Sequence, residues 1–159
     1  MNMARLHLLV NHVPVIAVPI GTLLLVGGIF RGSRECQKAA LWLLVLAGLS
    51  AGAAFLTGDP AASALARLAP EANLAAIGAH DEAAGMALAG SLAVAATAFP
   101  GLFAFRRSRK GAPVAYKAVV LALCIIACGL LARTAYFGGL IRHTETTVLV
   151  VPAEDGARH

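Results

Sequence analysis

Charge is scarce in this chain. Of 159 residues, 13% are Asp, Glu, Lys or Arg and 59% are hydrophobic, against roughly 25% and 45–50% in a soluble domain. That balance excludes an ordinary water-exposed globule and a disordered tail. Cysteine is scarce too, with Cys36, Cys124 and Cys128 the full complement. None sits in a Cys-x-x-Cys-His run, so covalent c-type haem attachment has no support. Cys124 and Cys128, four apart on one helical face, read as small packing residues. There is no Gly-rich phosphate loop, no dinucleotide fingerprint and no Gly-x-Ser-x-Gly elbow. No nucleophile is paired with a base, so no catalytic constellation is evident.

What the chain does have is long apolar blocks, at about residues 6–30, 39–58, 83–105 and 118–140. Each approaches or exceeds the roughly 20 residues a membrane-spanning helix needs. Lipid offers a bare backbone no hydrogen-bond partners, so each block is expected to be helical. The first holds His12, Pro14 and Pro19 and lacks a small-residue cleavage site, which makes it a retained helix rather than a signal peptide. Its prolines are expected to bend or loosen it. Small residues (Gly48, Ala51 and Gly52 in the second block, Gly85, Ala89 and Gly90 in the third) leave smooth faces for close helix contact. Short connections then give an all-α, up-down-up-down four-helix bundle, with 1–159 as a single transmembrane domain. Residues 59–80 form an interfacial segment, expected as two short amphipathic helices split at Pro70. Residues 144–159 form an extended tail whose β-branched run, Thr146 to Val151, would suit pairing with a partner's strand edge.

The charges divide by end. The connections 31–38 and 106–117 carry Arg31, Arg34, Lys38, Arg106, Arg107, Arg109, Lys110 and Lys117 against one acid, Glu35. The opposite end carries Arg5, Arg67, Arg142 and Arg158 against Asp59, Glu71, Asp81, Glu82, Glu145, Glu154 and Asp155. An excess of Lys and Arg marks the cytoplasmic side. Both termini are therefore expected on the periplasmic or exterior side. The basic loops have a sufficient role in topology and contact with anionic lipid, and no aromatic interleaving points to nucleic acid.

Histidines are the informative residues. His7, His12, His80 and His143 all fall at the exterior end, and His159 closes the tail. At 1.5 Å per residue, His12 and Arg133 lie about 27 and 25 Å from the cytoplasmic helix ends, and His7, His80 and His143 about 35–40 Å. That makes a deeper pair and an outer set of three, with Glu82, Arg142 and Glu145 nearby. Arg133 needs a partner, because a charge in a membrane helix costs about 2.5–3.5 kcal/mol on insertion scales. Asp59, Glu82, a haem propionate, helix-end carbonyls or snorkelling to the headgroups would serve. His7 and His12, five residues apart, diverge by about 140° on a helix.

Imidazoles from two helices of a bundle grip a b-type haem axially, with Arg133 or Arg142 neutralising its propionates. Gly138 and Gly139 leave room for a flat macrocycle. A set of His7, His12, His80 and His143 with carboxylates would instead suit Zn or Cu. A quinone pocket built from Asn11, His12, Arg133 and Tyr136, or a non-catalytic accessory subunit of a larger complex, are further readings. An interfacial histidine bonded to a neighbour is the plainer outcome for each residue alone.

The run Leu6-His7-Leu8-Leu9-Val10-Asn11-His12-Val13-Pro14-Val15, the Leu56-Thr57-Gly58 end of the second block, the Ala79-His80-Asp81-Glu82 turn and Gly138 to Glu145 together resemble a group of small four-helix bacterial membrane proteins catalogued as domains of unknown function. Val13 separates His12 from Pro14, where that group has adjacent His and Pro. The resemblance implies a bacterial inner-membrane protein with an electron-transfer or haem-associated role. The expectation is thus a small redox subunit holding haem b through a pair among His7, His12, His80 and His143, with membrane or periplasmic redox partners.

Overall fold

In a computed structural model of the protein, residues 3–68, 74–107 and 112–142 are described, and all the regular structure among them is helical. The elements are α1 (Met3–Phe30), α2 (Arg34–Leu56), α3 (Gly58–Leu68), α4 (Leu74–Arg107) and α5 (Val114–Arg142). Four of them, α1, α2, α4 and α5, are long and apolar enough to cross a membrane. Lipid contact follows from what they expose. Leu23, Leu49 and Ile125 are each more than 60% accessible, an arrangement that water would penalise and acyl chains do not.

The boundaries differ from hydropathy alone in one respect. The expected second amphipathic helix does not stand apart, because residues from Leu74 onward form the first turns of α4 and run unbroken into the apolar span. Hydropathy marks where apolar residues begin, whereas a helix continues for as long as its backbone bonds are satisfied. Pro14 and Pro19 likewise lie inside one continuous α1.

Each spanning helix packs on two others: α1 on α2, α2 on α4, α4 on α5 and α5 on α1, while α3 rests mainly on α1. The core is built from modest side chains, with Val18, Leu25, Leu41, Leu44, Val94, Val120 and Cys124 almost wholly buried. Close approach is the reason. A Cβ on Gly48 of α2 would stand 2.8 Å from the Ser91 carbonyl oxygen of α4 and collide with Ala95. Backbones can approach this closely only with glycine at the crossing.

At one end the helices are knitted by polar contacts. Gly32 turns the chain with φ 63°, and Ser33 caps α2 by accepting the Cys36 amide hydrogen at 3.3 Å. Gln37 Nε2 donates to the Gly28 carbonyl at 3.0 Å, and Arg34 Nη2 donates to the Phe105 carbonyl at 2.7 Å. Tyr116 donates to the Thr97 carbonyl. Arg31, Arg34, Lys38 and Lys117 belong to this end. The other end is occupied by His7, the α2–α3 junction, His80 and the last turns of α5.

Candidate functional site

The histidine end is hollow. A cavity of about 620 Å³ is bounded by α1, α2, α3, α4 and α5 together, within the 300–1,000 Å³ range of ligand pockets. Its wall is largely apolar, with Leu8, Val15, Phe55, Ile77, Leu88 and Leu131 among the lining residues, and α3 closes one side through Gly58, Ala62 and Leu65. Polar groups are few: His7, Asn11, His12, Asp59, His80, Asp81 and Thr134.

Two of the histidines are fixed in the same manner from different helices. His7 Nδ1 lies 3.0 Å from the Ala54 carbonyl oxygen and 3.1 Å from Thr57 Oγ1. Thr57 ends α2, and its hydroxyl donates to the Ala54 carbonyl at 2.8 Å, which leaves its oxygen free to accept from His7. His80 Nδ1 lies 2.9 Å from the Thr134 carbonyl oxygen. A carbonyl only accepts, so each Nδ1 carries the hydrogen and each Nε2 keeps its lone pair. Ligating histidines are oriented by the same kind of bond from the other ring nitrogen to a backbone carbonyl. Packing adds to this at His80: a Cβ on Gly138 would stand 3.2 Å from its Cε1 and Nδ1.

His12 also lines the cavity but is exposed, and its Nδ1 bonds the Leu8 carbonyl of its own helix. Arg133 is elsewhere. Its side chain is exposed, with Nη1 3.6 Å from Met86 Sδ and the guanidinium 5.5 Å from the Phe137 ring centre. His12 and Arg133, expected at a similar depth, do not share the cavity, since Arg133 is not among the lining residues. The reason is helical phase: Thr134 and Gly138 hold the face toward His80, and Arg133 is rotated about 100° from Thr134. Of the expected quinone-pocket groups, Tyr136 is exposed and outside the lining, whereas Asn11 is in it.

Among the described residues, no three His, Cys, Asp or Glu side chains gather as a metal-ion site; the expected Zn or Cu set also includes His143, which lies outside them. His143, Glu145, His159, the Thr146–Val151 run and the Arg142 side chain lie outside the described residues.

Two features were not evident in the sequence. Thr57 looks there like a helix-end residue, yet it holds His7. Asn11 Oδ1 is buried and has no hydrogen-bond partner. No family model, curated protein or solved structure matches the chain. The resemblance to small four-helix bacterial membrane proteins rests on the motifs alone.

Proposed function

We propose that this protein is a small membrane-embedded redox subunit that holds a b-type haem between His7 and His80 and serves in electron transfer. The observation that carries the reading is the pair itself. Two imidazoles from separate helices face one 620 Å³ cavity, each with Nδ1 tied to a backbone carbonyl. That arrangement presents two Nε2 lone pairs, the donor set a bis-histidine haem takes. When bound, such a haem supplies reversible one-electron chemistry. The chain's part is to fix the two rings through Ala54, Thr57 and Thr134 and to keep water away with an apolar wall. No Lys or Arg lines the cavity among the described residues, so none there would neutralise the carboxylates of a bound haem.

In this reading the bundle is up-down-up-down in a bacterial inner membrane. The basic end faces the cytoplasm, in keeping with the positive-inside rule, and both termini and the haem end face the periplasm, where membrane or periplasmic redox partners would dock. A reduced-minus-oxidised spectrum of the purified protein tests the haem. An α band is expected, absent in His7→Ala and in His80→Ala but kept in His12→Ala. A featureless spectrum from haem-sufficient cells, with metal analysis also blank, overturns the reading in favour of an accessory subunit.

A further inference from the structure

Exposed residues of both α1 and α5 line the cavity. Of the four contacts between spanning helices, the one between α1 and α5 is the least extensive. His7 reaches across to Ala54 and Thr57 of α2, so Leu8 and His12, one helical step round, turn toward α5. On α5, Thr134 and Gly138 face His80, so Ala135 and Gly139 turn toward α1. All four of these seam residues line the cavity and all four are exposed. They are two lips of one opening. Gly139 supports this independently: a Cβ there would meet nothing within 4 Å, whereas one on the adjacent Gly138 would press on His80. The seam lies near the ends of two helices apolar enough to span a bilayer, which puts it within reach of a ligand partitioned into lipid.

Polar groups near the lips define what would enter. Asn11 lines the cavity and leaves Oδ1 buried without a partner, and an unmet buried acceptor is costly to leave unpaired. His12 Nδ1 donates to the Leu8 carbonyl, which leaves Nε2 as an acceptor at the lip. A hydroxyl, donor and acceptor at once, satisfies either end of a carboxamide and an imidazole lone pair. We infer that the α1–α5 seam is a lateral portal from the bilayer for a lipophilic hydroquinone, whose ring hydroxyls bond Asn11 and His12 while its tail stays in lipid. This site goes beyond the haem reading and stands on the seam and Asn11 without it.

The test is titration of a decyl-tailed hydroquinone into protein-loaded nanodiscs, with empty nanodiscs subtracted to remove partition into lipid. Saturable binding of one ligand per chain is expected, weakened about tenfold or more in Asn11→Leu. Gly139→Leu at the lip should weaken it comparably. Gly129→Leu should leave it unchanged, since that glycine also faces open space but lies outside the cavity lining. The same compound with both hydroxyls methylated should fail to saturate the wild-type protein. Equal binding of the methylated compound, equal effects of the two glycine variants, or no saturable binding to wild-type protein overturns the inference. A difference spectrum of the same samples separates the two ideas, because hydroquinone binding in haem-free protein leaves the portal standing and removes the haem. A haem spectrum without hydroquinone binding does the reverse.

Discussion

The two ends of this bundle solve opposite problems with a similar stock of small residues. At the basic end, Gln37, Arg34 and Tyr116 each spend a side-chain hydrogen bond on a backbone carbonyl of another helix or of the preceding one, and the helices close on each other. At the histidine end, His7 and His80 make the same kind of bond, yet the helices stand apart around a cavity. Hydrogen bonds to carbonyls therefore do not by themselves close a bundle. Where they come from residues that also fill space, the end is solid. Where they fix rings around a gap, the end stays hollow.

Substitutions that exchange solid for hollow should break this contrast most. Leu44→Ala, which empties a wholly buried position, should lower stability by about 2–5 kcal/mol in thermal or denaturant unfolding of the detergent-solubilised protein. Gly48→Ala should follow at about 1–3 kcal/mol, because the new methyl meets the Ser91 carbonyl and Ala95. Gly139→Ala, into open space at the other end, should not destabilise by more than about 0.5 kcal/mol. Equal losses at Gly48 and Gly139 would show that both ends are equally packed.

Thr57→Val is expected to cost less than Gly48→Ala, about 0.5–1.5 kcal/mol for the lost side-chain bonds, and to free the His7 ring. In a haem-loaded protein that loosening should appear as a changed α band or axial-ligand signature, restored in Thr57→Ser, while Thr97→Val, whose hydroxyl bonds only its own helix, leaves the spectrum alone. Lys38→Ala should also have a small effect. Its bridge to Glu35 is 2.6 Å long but mostly in the open, with Glu35 82% exposed, so a loss within about 1 kcal/mol that shrinks further with salt is expected in the same unfolding assay.

How much of this was legible beforehand varies by residue. The apolar blocks at 6–30 and 118–140 announce α1 and α5 within a few residues, because spanning a membrane demands length and hydrophobicity and little else. The α3–α4 boundary was harder. Residues 74–82 have a soluble look, and only their continuity with the span makes them part of α4. Arg133 could be given a position along its helix but no partner. Its depth is a count along the chain, but its direction depends on which side of α5 meets α4.

The sequence alone determined the four apolar spans and the membrane character they suggest. Those properties depend on composition and distance along a helix. Only the tertiary structure decided that His7, His80 and the exposed His12 line one cavity and that Thr57 holds the His7 ring. The helices are apolar around their whole circumference, so no stripe of polar residues marks which face turns inward. In lipid that choice falls to backbone proximity, at crossings such as Gly48 on Ser91, and it is settled between helices rather than within any one of them.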